Sequence, residues 1–188
     1  MRRPADVAGW WALAAAVLLV AGLSAGGRLV TASTRSLLVT VPPGVSGHAR
    51  ELDVRVDGAQ LAPSVVARGR PATVTGVFVL VRWTAMGATH PVAVQEPTLH
   101  TADGRSYAPR TGLGASTGTL QPGFARTFSA VFDLPADAVA GAAFVLAPQR
   151  WEVQLYDTTV RVPLGLDRPP RTPVLPVPVP EAVTMVTG

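Results

Sequence analysis

From about residue 48 the chain is built of short runs of alternating apolar and polar residues broken by Gly, Pro and Asp. A period of two dictates strands that bury one face. The stretch 120–135, "LQPGFARTFSAVFDLP", shows the pattern most cleanly. Pro122-Gly123 supplies a turn, Phe128, Ala130, Phe132 and Leu134 alternate with Thr127, Ser129, Val131 and Asp133, and Pro135 stops the strand. "ELDVRVDG" places Leu52, Val54 and Val56 opposite Asp53, Arg55 and Asp57. "GVFVLVRWTAMG" places Val77, Val79, Val81 and Trp83 on one face. Its other face, Phe78, Leu80, Arg82 and Thr84, begins apolar and ends polar, as in a central strand emerging from cover. "RWEVQLYDTTVRVPL" offers Trp151, Val153 and Leu155, then Val160, Val162 and Leu164. Asp103-Gly104 predicts a tight turn. No helix is expected in this body, because "PADAVAGAAF" is opened by Pro135 and interrupted by Gly141. The core bulk is expected from Phe78, Trp83, Phe128, Phe132 and Trp151.

The N-terminus follows a different rule. Between Asp6 and Arg28 there is no charge, and those roughly 21 residues reach about 32 Å as a helix, enough to cross a bilayer. Trp10 and Trp11 sit near the start, where interfacial aromatics belong, and Arg2 and Arg3 favour a cytoplasmic N-terminus. The small residues around Gly22-Leu23-Ser24-Ala25 are also compatible with a cleaved signal peptide. At the other end, "PVLPVPVP" favours polyproline II and opposes a regular ladder strand. The expected order is a cytoplasmic stub at 1–6, a transmembrane signal anchor or signal peptide at 7–28, and a linker at 29–47. An extracytoplasmic β-sandwich at 48–165 and a Pro-rich tail at 166–188 complete it.

Charge and composition exclude several function classes. The chain has no cysteine, which rules out disulfides, thiolate metal sites and thiol catalysis. The pI of about 10.9 invites a nucleic-acid reading. Yet Arg2, Arg3, Arg28 and Arg35 flank the apolar segment, leaving twelve Arg against eleven carboxylates in 36–188. No basic stripe results, and no nucleic-acid partner is expected. There is no Lys, Asn or Ile, a bias expected of a GC-rich genome, so an Arg carries little information about anion binding.

Candidate chemistry is sparse. Gly114-Ala115-Ser116-Thr117-Gly118 matches G-x-S-x-G, but the motif needs a strand before it and a helix after it. Ser116 instead lies in a turn-rich loop. The same pattern recurs at Gly22–Gly26 within the apolar segment. His48, His90 and His100 are the only histidines, and none has a second metal-type ligand at i+2 or i+4. His90 lies near Met86, a pairing that a soft copper site would use, but Met86-Gly87-Ala88 reads as a hairpin loop and a surface or loop histidine is expected. Asp133 and Asp137 flank Pro135 and fit turn capping. Arg82, a charge on an otherwise apolar strand, fits an emergent strand end paired with a carboxylate, with a ligand-orienting role as the alternative. No catalytic, cofactor or metal residues are assigned.

The series "TVTGVFVLVRWTA", "LHTADGRSYAPR" and "LQPGFARTFSAVFDLP" resembles an immunoglobulin-like domain of unknown function. That domain is found in secreted and membrane-anchored proteins of high-GC Gram-positive bacteria, among them immunoprotective-antigen-like sandwiches. The resemblance covers about residues 48–165 and implies an all-β, immunoglobulin-like antiparallel sandwich of seven to eight strands with no shared catalytic site. Combined with the apolar segment, it predicts a non-enzymatic module anchored in the cell membrane, without cofactor, that binds or scaffolds an envelope protein partner. An accessory subunit of a transport or secretion complex, or a protein secreted after signal cleavage, is the alternative.

Overall fold

The computed structural model describes residues 37–49, 51–113, 118–148, 158–166, 173–177 and 183–185. The strands are β1 (Leu37–Thr40), β2 (Gly47–Ala49), β3 (Leu52–Ala67), β4 (Arg70–Gly87), β5 (Val92–Ala93), β6 (Thr98–His100) and β7 (Ser106–Tyr107). They continue with β8 (Thr119–Leu120), β9 (Phe124–Leu134), β10 (Ala143–Leu146), β11 (Thr158–Pro163), β12 (Leu175–Pro176) and β13 (Val183–Met185). One sheet runs β1-β11-β10-β6-β7. The other runs β12-β3-β4-β9-β13 with β2 also on β3, and β5 and β8 form a small pair.

The two sheets close on one apolar core, so the body is a β-sandwich. Alternation sets which side chains enter it. Leu52, Val54 and Val56 of β3, Val79, Val81 and Trp83 of β4, and Phe128, Ala130, Phe132 and Leu134 of β9 are buried there together. The opposite sheet contributes Leu99, Phe144, Leu146, Val160 and Val162. Trp83 joins the layers: its ring lies 5.5 Å from Phe128 in a stacked arrangement and 5.0 Å from Phe144 in a tilted one.

Two irregularities bend the long β3–β4 hairpin. Val56 faces Trp83 and Gly58 faces Arg82, so Asp57 is a bulge. The inserted residue moves the inward phase from Leu52, Val54 and Val56 to Ala59 and Leu61. A larger shift follows between Ala62 and Ser64. The hairpin closes at Arg68-Gly69 with both residues at positive φ, 50° and 74°, the twist that two-residue turns need.

Several sequence expectations are corrected. The span read as the sandwich, from β2 to β11, contains ten described strands rather than seven or eight, and the flanking strands β1 and β12 pair in parallel with β11 and β3. The span 29–47 read as linker contributes β1 to a sheet. The tail at 166–188, expected to stay off the ladders, supplies β12 to one edge and β13 to the other. Proline is tolerated there because an edge strand needs hydrogen bonds on one side only. The apolar segment at 7–28 and the run Trp151, Val153, Leu155 lie outside the described residues. Among the described residues no helix is long and apolar enough to cross a membrane. Within "PADAVAGAAF" the described residues form one 3-10 turn, Ala136–Ala138, and no longer helix, as expected.

Candidate functional site

The outward residues of β3, β4 and β9 divide the outer face of their sheet into an apolar half and a polar half. Toward the hairpin tip, Ala62, Val65, Phe78, Leu80 and Val131 form a second buried cluster under Leu175 of the tail. Toward the other end the row Arg55, Thr84, Thr127 crosses three strands in register. The bulge turns Asp57 onto this row. Arg55 Nε donates to its Oδ1 at 2.8 Å and Thr84 Oγ1 donates to its Oδ2 at 2.7 Å. Thr84 Oγ1 also lies 3.2 Å from Thr127 Oγ1.

Beside this network is a trough of about 390 Å3 lined by Ser46, Asp53, Arg55, Thr84, Met86 and Thr127. Two histidine–carboxylate contacts lie on the same stretch of strands, and one of them involves Asp53 of the trough. His48 Nδ1 is 2.6 Å from Asp53 Oδ1, and His90 Nε2 is 3.6 Å from Glu51 Oε1. Thr89 Oγ1 meets the other ring nitrogen of His90 at 2.9 Å. Asp53 pairs in register with His48 on one side and Met86 on the other. The trough therefore combines hydroxyl, guanidinium and carboxylate groups and one thioether with the apolar Val54, Ala85 and Ala125.

The fold gathers some of the sequence candidates and scatters others. Met86 lies in the trough, His48 contacts its lining residue Asp53, His90 pairs with Glu51 instead, and His100 is exposed on β6 of the other sheet. Among the described residues no group of three or more His, Asp or Glu assembles in a metal-binding arrangement. Ser116 lies outside the described residues. Arg82 is exposed on the outer face between Gly58 and Ser129. Asp133 is not a turn cap: its Oδ2 accepts from Arg110 Nη1 at 2.8 Å. The 3-10 turn beyond it starts at Pro135 with no side-chain cap. Sequence spacing misses the ion pair because Arg110 arrives from a distant loop. Arg55, Asp57, Thr84 and Thr127 also escape a motif search. Their only signal is that they occupy the outward phase of good strands.

A second polar cluster closes the predicted Asp103-Gly104 turn. Arg105 Nε donates to Asp103 Oδ2 at 2.6 Å, and the Thr101 hydroxyl donates to Oδ1. The Arg105 guanidinium, then the Thr101 hydroxyl, hold the Asp103 carboxyl well below the usual carboxylate range. The same pairing raises Arg105. This is hairpin scaffolding on the sheet opposite the trough.

Two face-to-face sheets closed on one core define a β-sandwich protein. No family model matches the chain, and no curated protein matches it. Among solved structures it is similar to MPT63, a secreted protein from Mycobacterium tuberculosis, at 18% identity and a TM-score of 0.48, covering 69% of this chain and 99% of that one. It is also similar to the yjhA protein from Bacillus subtilis, at 15% identity and a TM-score of 0.49, covering 64% and 98%. An uncharacterized β-sandwich protein from Clostridium difficile aligns at 9% identity and a TM-score of 0.41, covering 69% and 96%.

Proposed function

We propose that this chain is a non-enzymatic, immunoglobulin-like binding module of the cell envelope, of the kind its strand and turn motifs resemble. The apolar run at 7–27 holds it to the membrane, with the sandwich on the outer side. The observation that carries the binding role is the trough on β3, β4 and β9. Its polar groups are fixed by one another, Arg55 and Thr84 on Asp57 and His48 on Asp53, so a ligand meets a preorganised pattern. Rigid strands presenting exposed polar groups serve recognition of an envelope protein without any chemical step.

The test is photo-crosslinking in intact cells from a probe placed at Met86, followed by identification of the captured envelope proteins. The expected result is a defined partner captured by the parent and lost in Arg55→Ala. An unchanged set of captured proteins in Arg55→Ala would remove the trough from the reading. Fractionation of the same cells tests the anchor: full-length protein in the membrane supports it, and a shortened protein in the medium replaces it with secretion after signal cleavage.

A further inference from the structure

Three strands bring an imidazole, a carboxylate and a thioether into one row at the Asp53 end of the trough. His48 of β2 pairs in register with Asp53 of β3, and Asp53 pairs with Met86 of β4. Register partners share a face of the sheet and neighbouring strands lie about 4.8 Å apart, so His48 and Met86 stand roughly 10 Å apart with Asp53 between them. Asp53 and Met86 line the same trough, and His48 Nδ1 meets Asp53 Oδ1 at 2.6 Å. Met86 belongs to β4, so a strand, not a loop, carries the thioether. The guanidinium of Arg55 in the same trough is neutralised by Asp57.

The hydrogen bond decides which ring nitrogen of His48 is available. An ionised carboxylate only accepts, so Nδ1 carries the proton and Nε2 keeps its lone pair. An imidazole held through one nitrogen by a carboxylate is the arrangement that orients metal-binding histidines. The His48 side chain is 76% exposed, which leaves Nε2 open to an incoming ion. His90 is set differently. Thr89 Oγ1 meets its Nδ1 at 2.9 Å and Glu51 Oε1 lies 3.6 Å from its Nε2, so both nitrogens are engaged.

His, Asp and Glu alone make no metal group among the described residues, and the third member of this row is a sulfur. That sulfur selects the ion. Calcium and magnesium take oxygen ligands, and zinc sites are built from thiolate, imidazole and carboxylate. Copper as Cu(I) takes thioether and imidazole together.

We propose that His48 and Met86 form a Cu(I) site at this end of the trough, with Asp53 as the residue that positions the His48 ring. The site goes beyond the protein-binding role of the trough and does not use Arg55, on which that role is tested.

The test is Cu(I) titration of the purified full-length protein under ascorbate, in competition with a chromophoric Cu(I) chelator, each variant first checked for the parent circular dichroism. The parent should take up Cu(I) stoichiometrically, with sulfur visible in the copper X-ray absorption spectrum, and Zn(II) should not displace it. Met86→Leu should lose the sulfur signal, and both Met86→Leu and His48→Gln should lose stoichiometric uptake. Asp53→Ala should weaken binding about 10–100-fold, and Asp53→Asn, which still accepts from Nδ1, should recover most of that loss. His90→Gln and Arg55→Ala should bind like the parent, so loss of a protein partner in Arg55→Ala is a separate result. No stoichiometric uptake by the parent, uptake indifferent to Met86→Leu, or a loss in His90→Gln in place of His48→Gln would overturn the site. Parent-like binding by Asp53→Ala would overturn the positioning role of its carboxylate.

Discussion

Trp83 of β4 and Phe144 of β10 meet across the sandwich with ring centroids 5.0 Å apart and planes tilted by 45°. That contact ties together two sheets whose strands come from distant parts of the chain. Phe128, the register partner of Trp83 within its own sheet, stacks on the same ring. Because both partners are buried in the main core, a double-mutant cycle between Trp83 and Phe144 should show about 0.5–1.5 kcal/mol of coupling. Phe132→Ala, at a fully buried position of the same core, should cost about 3–5 kcal/mol through the cavity it leaves. Urea unfolding of the purified sandwich measures both, and a parent-like midpoint for Phe132→Ala would contradict its inward placement.

Gly76 lies where β4 crosses the end of β9, and a Cβ there would stand 2.0 Å from the Leu134 carbonyl oxygen. Backbone cannot yield as a side-chain tip does, so Gly76→Ala should destabilise by about 1–3 kcal/mol. Gly58, with nothing within 4 Å of the same added atom and no positive φ, is the contrast. Gly58→Ala should change stability by no more than about 1 kcal/mol, and in the stabilising direction. Equal losses at both sites in thermal melts would refute the close approach at Gly76.

Arg68 is the one described residue other than glycine at positive φ. The left-handed region costs an ordinary L-residue about 1–2 kcal/mol, a cost that Asn partly avoids and Gly escapes. Arg68→Asn should therefore raise stability by up to about 1 kcal/mol, read as a higher denaturation midpoint with an unchanged m-value. A lower midpoint would mean that the Arg68 side chain makes a contact worth more than the backbone strain.

Acid should weaken the Asp103–Arg105 turn. The folded carboxyl is held below its unfolded value, so its contribution is complete above about pH 4, the ordinary Asp range. It is lost as pH falls below that range toward the depressed folded value. Asp103→Asn should therefore melt below the parent at pH 7, and the gap should shrink at pH 3. Added salt should also shrink the gap at pH 7, because the pair is solvent-exposed. A gap independent of pH would show that hydrogen-bond geometry, not charge, holds this turn.

Much of the inner architecture was legible. The phases of Leu52, Val54 and Val56, of Val79, Val81 and Trp83, and of Phe128 through Leu134 follow from alternation alone. Each is buried as that pattern requires, because side chains on a strand must take opposite faces. The Asp103-Gly104 turn was legible for the same local reason. The candidate site was legible only in fragments: Met86, His48 and His90 stood out as chemical types. Arg55, Asp57, Thr84 and Thr127 did not, since their meeting depends on cross-strand register and on a bulge that no motif announces.

The sequence by itself determined the all-β class, the inward faces and the turns, since each is settled by steric preferences acting over a few residues. Only the tertiary structure decided that the Leu37–Thr40 strand would complete one sheet beside β11, that Asp133 would answer Arg110, and that Leu175 would cap the outer face over Phe78 and Leu80. These contacts join residues far apart in the chain, and their sequence signals are weak. An open sheet edge takes the Leu37–Thr40 strand and an apolar outer face takes Leu175 because each needs a cover, and charge complementarity joins Arg110 to Asp133.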